Sequence, residues 1–219
     1  MSILSNLGNI KKSIPEHVTL VAVSKTKPNT DIQEAYQAGQ RIFGENKVQE
    51  MTQKWEELPK DIEWHMIGHV QRNKVKYMAP YVSLIHGVDS FRLLKEIDKQ
   101  AKKNERVIDC LLQMHIAEED TKFGLDENEL NEILHSKEFS QLHNIKVVGL
   151  MGMATFTDIE VQIRREFKQL KSHFEVLQKE IPEATTLSMG MSGDYKIAIE
   201  EGSTMVRIGS SIFGARNYH

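Results

Sequence analysis

The feature that most constrains this chain is a repeated change of hydrophobic period. Short apolar runs alternate with longer segments whose apolar residues recur at three- and four-residue spacing. Eight runs are strand candidates: 19–24, 41–44, 62–67, 82–86, 107–114, 145–151, 184–189 and 204–208. Several are apolar on both faces, as parallel strands buried between two packed layers must be. Between them lie amphipathic segments. In 158–180, Ile163, Phe167, Leu170, Phe174 and Leu177 form one stripe. Asp126 with Glu129 has the form of a capping box ahead of Leu130, Ile133 and Leu134, and Ser90 is placed to cap the helix of Leu93, Leu94 and Ile97. Val48, Met51 and Trp55 mark another helix.

Eight such alternations predict an α/β fold, a single (β/α)8 TIM barrel. The competing architecture is an open doubly wound sheet. Only a short tail follows the last strand, so an N-terminal helix is expected to cover the face that a full eighth helix would cover. The 219 residues suit one barrel domain spanning 1–219 and leave no room for a second sizeable domain.

Lys plus Arg total 28 and Asp plus Glu 31, a net charge of −3. The densest basic cluster, Lys102, Lys103 and Arg106, is interrupted by Glu105. Nucleic-acid binding by phosphate neutralisation is therefore not expected. No apolar run approaches the roughly 20 residues that span a bilayer, and residues 1–14 lack the apolar stretch of a secretory signal. The one cysteine, Cys110, excludes an internal disulfide framework. Together these point to a cytoplasmic protein with no membrane partner. Metal binding is not expected either: His65 and His69 are four apart, but Gly68 interrupts any helix there.

In a barrel of this kind the site lies at the C-terminal ends of the strands. Alternation puts Val21, Val23 and Lys25 on one face. If that face is inward, Lys25 stands at the mouth above two valines. Desolvation there favours the neutral, nucleophilic amine that Schiff-base chemistry needs. The plain alternative is a solvated lysine ending a strand. Met205 and Arg207 share a face of the last run, so Arg207 can also point into the mouth, where it needs an acceptor. Ser192 reads as the N-cap of a short helix containing Ile197 and Ala198, and Gly209-Ser210 offers unshielded backbone N–H groups. Each of these pieces is most often a simple turn. Together they assemble a phosphate cradle after strands seven and eight, next to strand one in a closed barrel. A reactive lysine, a phosphate site and a converging arginine are the components of a pyridoxal phosphate pocket.

The chain also resembles a known family, the small pyridoxal phosphate homeostasis proteins. The resemblance is carried by Val21-Ala22-Val23-Ser24-Lys25, by Phe43-Gly44-Glu45-Asn46 with Val48-Gln49-Glu50, and by Trp64-His65-Met66-Ile67-Gly68 with Gln71 and Asn73-Lys74. It continues through Val88-Asp89-Ser90, Lys122-Phe123-Gly124, Gly149-Leu150-Met151 and Leu187-Ser188-Met189-Gly190-Met191-Ser192. It closes with 202–210 and Phe213-Gly214-Ala215-Arg216. The resemblance implies a barrel like the N-terminal domain of alanine racemase, with pyridoxal phosphate held as a covalent aldimine at Lys25. It implies phosphate contacts from Ser192, Gly209 and Ser210, an Arg207 that faces the pyridine nitrogen, and a pocket lined by Asn46 and by Met189 through Met191.

A cation at the ring nitrogen discourages its protonation and makes the ring a poorer electron sink. Racemisation would also need acid and base groups on opposite faces of the substrate carbon. The similar racemases take the second group, a tyrosine, from a C-terminal domain for which this chain has no room. The expectation is a monomeric, non-enzymatic binder that keeps vitamin B6 in balance, with pyridoxal phosphate-dependent apoenzymes as recipients. The alternatives are an amino-acid racemase, with Tyr77, Tyr81 or Tyr195 as the opposite group, and a Schiff-base aldolase acting on a phosphorylated sugar.

Overall fold

The computed structural model describes residues 2–119 and 123–215. Eight parallel strands close into a barrel in chain order: β1 (Thr19–Val23), β2 (Ile42–Glu45), β3 (Glu63–Met66), β4 (Leu84–Val88), β5 (Ile108–Gln113), β6 (Ile145–Met151), β7 (Thr186–Ser188) and β8 (Met205–Ile208). Closure is made by β1 against β8, where Val21 pairs with Arg207. All eight apolar runs overlap a strand. The fourth is displaced toward its C-terminal end, where the register slips between Ile85 and Val88.

The helices are α1 (Ile3–Ser13), α2 (Asn29–Gln37), α3 (Val48–Glu57), α4 (Val75–Met78), α5 (Phe91–Lys103), α6 (Glu127–Leu134), α7 (Glu160–Glu180), α8 (Tyr195–Glu200) and α9 (Ser210–Phe213). Two of the three N-caps expected from sequence are present. Ser90 Oγ accepts from Leu93 N, and Asp126 and Glu129 bond reciprocally at 2.8 and 3.0 Å. These contacts occupy N–H groups that the first helical turn leaves without partners. The N-terminal helix packs between α2 and α9, on the face where a full eighth helix would lie. None of the helices among the described residues is long and apolar enough to cross a membrane.

Strand alternation sorts the core into two layers. Phe43, Trp64, Met66, Ile85, Leu150 and Val206 face outward and pack with Ile32, Met51, Leu94, Phe167 and Leu170 of the helices. Val21, Leu84, Leu111, Met151 and Met205 face inward and fill the barrel. Above this apolar plug the inward positions turn polar, with His65, His86, Ser188 and Arg207 all buried. That layer is the floor of the site.

Candidate cofactor site

The C-terminal ends of the strands open onto a cavity of about 700 Å³. Lys25, Asn46, Ser192, Arg207, Gly209 and Ser210 all line it. Met189 does not. On β7 the alternation points Ser188 into the barrel and Met189 outward, where it is fully buried against the helix layer. Met191, beyond the turn at Gly190, reaches the cavity instead.

Lys25 extends the inward face of Val21 and Val23 and is half-buried at the mouth. The backbone around it is clamped from outside the barrel. Lys54 of α3, itself buried, donates to the Ser24 carbonyl oxygen at 2.8 Å, to Glu45 at 2.8 Å and to Glu50 at 2.7 Å. Ser24 Oγ donates to Glu45 at 2.5 Å. Thr26 follows with φ of +64°, an unfavourable value for a β-branched residue, and its N–H donates to Glu50 at 2.6 Å. Burial pushes the Glu45 carboxyl up to about 7 against the opposing pull of Lys54, and Glu45 Oε2 has no hydrogen-bond partner among the described residues. This cluster escapes a sequence reading because a lysine on an amphipathic helix reads as solvated. The signal that could have found it is Glu45, a carboxylate ending an apolar run.

Arg207 is 4% exposed. Its Nη1 donates to the Ser188 carbonyl at 2.9 Å and to Ser188 Oγ at 2.6 Å, and its Nη2 donates to the Gly152 carbonyl at 3.1 Å. Burial lowers its pKa to about 10, so the guanidinium stays charged at neutral pH. Ser188 Oγ lies 3.0 Å from His86 Nδ1, and His86 Nε2 lies 3.0 Å from His65 Nδ1. Burial lowers the pKa of His65 to about 3 and that of His86 well below its ordinary value, so both imidazoles are neutral.

The loops after β7 and β8 meet at Ser192. Its hydroxyl accepts from Gly209 N at 3.3 Å and from Ser211 N at 3.5 Å. Ser192 is not the N-cap of the following helix. That position belongs to Asp194, whose Oδ1 accepts from Met191 N at 2.6 Å. Freed from capping, the Ser192 hydroxyl sits with the N–H groups that open α9. A Cβ at Gly209 would stand 3.1 Å from the Val23 carbonyl oxygen, so glycine lets this loop approach β1.

The opposite wall is built from β2 to β5. Asn46 Oδ1 is buried with no hydrogen-bond partner among the described residues. Gly68 permits the close approach of its loop, since a Cβ there would fall 2.4 Å from the Asn46 carbonyl oxygen. His69 Nδ1 lies 3.0 Å from Asp89, and its ring meets Phe123 edge-on at 4.9 Å. Gln113 donates to the Phe123 carbonyl at 2.8 Å.

No tyrosine lines the cavity among the described residues. Tyr77 is exposed on α4, Tyr81 stacks on Trp55 and bonds Thr52, and Tyr195 bonds Ser13. Among the described residues there is also no cluster of three or more His, Cys, Asp or Glu able to hold a metal ion. Lys122 and Arg216 of the resembling segments lie outside the described residues.

The profile of the alanine racemase N-terminal domain family matches residues 2–217. A pyridoxal phosphate homeostasis protein of Aquifex aeolicus is 43% identical over 202 residues, covering 91% of this chain and 87% of its own. PipY of Synechococcus elongatus superposes without PLP at a TM-score of 0.92 and with PLP bound at 0.89. It is 36% identical, with 97% of this chain and 100% of PipY covered. The fold, the length matched and the identity agree: this chain belongs to the pyridoxal phosphate homeostasis proteins, a family built on the alanine racemase N-terminal barrel.

Proposed function

We propose that this protein binds pyridoxal 5'-phosphate as an imine between Lys25 Nζ and the aldehyde carbon, and stores or hands over the cofactor without turning over a substrate. The observation that carries this reading is the convergence of Lys25, Arg207 and the Ser192–Gly209–Ser210 loops on one cavity. The residues fit the group. The Ser192 hydroxyl proton and the Ser210 N–H suit the phosphate, and the Gly209 N–H can turn to it from its long 3.3 Å bond to Ser192 Oγ. The free lone pairs of Asn46 Oδ1 suit the cofactor's ring hydroxyl. Arg207, a buried cation, suits an unprotonated pyridine nitrogen. When bound, the cofactor supplies a reactive aldehyde and a conjugated ring that can accept electrons. Arg207 limits the second capacity, because two positive charges at the ring nitrogen would repel. PipY, a relative solved with PLP bound, supports the cofactor class. The recipients in this reading are apoenzymes that use the cofactor, and the protein works as a monomer in the cytoplasm.

The test is the absorption spectrum of purified protein with added pyridoxal phosphate. Wild type is expected to show a visible imine band that Lys25→Ala abolishes, and the loaded protein to restore an apoenzyme. A band that survives in Lys25→Ala, or no affinity in wild type, overturns the reading.

One observation favours a second reading, amino-acid racemisation: His69, oriented by Asp89, is a titratable group on the cavity wall. It predicts exchange of a substrate α-proton with solvent that His69→Ala abolishes. Storage without turnover predicts no exchange in either protein.

A further inference from the structure

The polar layer beneath the cavity has a direction. An arginine can only donate, so Ser188 Oγ accepts from Arg207. The hydroxyl has one proton left and one remaining partner, His86 Nδ1 at 3.0 Å. If Ser188 donates there, His86 Nδ1 is an acceptor, and a neutral imidazole then carries its proton on Nε2. That nitrogen lies 3.0 Å from His65 Nδ1, which must accept in turn and carry its own proton on Nε2. The opposite polarity, with both imidazoles protonated on Nδ1, would leave the Ser188 proton without an acceptor. In a site where these residues are at most 4% exposed, that is the costlier arrangement.

We propose that His86 and His65 are positioning residues that act through Ser188 on Arg207: a one-way donor chain, Arg207 to Ser188 to His86 to His65, holds the guanidinium in the cavity wall. The chain links β8, β7, β4 and β3 across the full width of the barrel. It occupies both Nη1 protons, while the Gly152 carbonyl takes one from Nη2. The Nε proton and the second Nη2 proton take no part in these bonds. A protonated His86 would instead turn an N–H toward Ser188 and set a second cation beside the guanidinium. Burial of the pair away from water keeps both rings neutral and the direction fixed. The consequence for a bound ring rests on the reading that this protein holds pyridoxal phosphate, whereas the direction of the chain does not.

Two measurements test the two parts separately. Side-chain ¹⁵N spectra of the cofactor-free protein at pH 7 are expected to show His65 and His86 neutral with Nε2 protonated. Ser188→Ala should then move the His86 resonances toward a mixture of tautomers. Nδ1-protonated rings in wild type, or an unchanged His86 in Ser188→Ala, overturn the chain.

The second measurement titrates the protein with pyridoxal phosphate and follows the absorption band. His86→Leu is expected to weaken affinity by up to about tenfold, the upper end for a hydrogen bond between neutral groups. His86→Asn, whose Oδ1 can accept where Nδ1 does, should recover most of that loss. The double variant His86→Leu with Ser188→Ala should bind no worse than Ser188→Ala alone, because the two act in series. Additive losses, or no recovery in His86→Asn, overturn the positioning role. If wild type fails to bind the cofactor while the spectra show the expected tautomers, the cofactor reading falls and the chain stands. Should His86→Leu fail to fold, Ser188→Ala and His86→Asn still decide the outcome.

Discussion

The ammonium nitrogen of Lys54 stands 2.8 Å from the carbonyl oxygen of Ser24, the residue before Lys25. A helix on the outside of the barrel thus grips the backbone of the lysine inside it. Lys54→Met removes the cation that Glu45 and Glu50 share and leaves carboxylates without their partner in a buried site. Breaking such a pair costs about 3 kcal/mol. Urea unfolding of Lys54→Met should show that loss, and Lys54→Met with Glu45→Gln should recover part of it. A single variant as stable as wild type would show that the cluster is not a clamp.

Thr26 holds a φ of +64° directly after Lys25. Glycine adopts that conformation without the Cβ penalty of about 1 kcal/mol. Thr26→Gly is expected to keep or slightly raise thermal stability while lowering the protein's affinity for pyridoxal phosphate, because the turn that positions Lys25 at the cavity becomes free to move. Equal affinity in both proteins would mean that strain at Thr26 plays no part in aiming Lys25.

Gly68 lies so close to Asn46 that a Cβ would fall 2.4 Å from its carbonyl oxygen. Gly68→Ala must therefore push one of the two loops away. A loss of about 1–3 kcal/mol is expected, the range for overpacking, together with weaker cofactor binding through the displaced Asn46. Denaturant titration reads the first and absorbance titration the second. A variant unchanged in both would contradict the close approach.

The buried His65 gives a pH dependence of definite sign. Its folded pKa is about 3 against an ordinary 6.5, so between those values the unfolded chain binds the extra proton. Stability from this group is present above pH 6.5 and is lost as pH falls toward 3. Glu45 works the other way: raised to about 7 from 4.5, its contribution is present below pH 4.5 and is lost as pH rises through 7. His65→Asn keeps an acceptor for His86 and cannot titrate, while Glu45 is common to both proteins. Between pH 6.5 and 4, the urea midpoint of His65→Asn should fall less steeply than that of wild type. Parallel slopes would show that His65 is not held neutral.

The strands were legible because each is an apolar run bounded by a change of period, and β6 matches its expected limits, Ile145–Met151. The lysine at the mouth followed from simple alternation along β1. Alternation on β7 would equally have separated Ser188 from Met189, but the strand ends there and the pocket lining resumes only at Met191. Ser192 and Asp194 are both good N-caps by residue type, and only the conformation of the loop decides between them. The layer of His65, His86, Ser188 and Arg207 is invisible along the chain. Its links run between residues 21, 102 and 19 apart, so only closure of the barrel brings them together.

The first helix also touches the last part of the site. Asn6 of α1 donates to the Ile212 carbonyl at 3.0 Å, across a separation of 206 residues, and Ser13 shares a hydrogen bond with Tyr195 at 3.0 Å. During synthesis α1 therefore precedes these two partners by 206 and 182 residues. Such long-range contacts are the slow ones to form. The loops after β7 and β8 gain their outer brace only when β8 has closed the barrel. A partly made chain can bury much of its apolar surface well before it can hold a ligand.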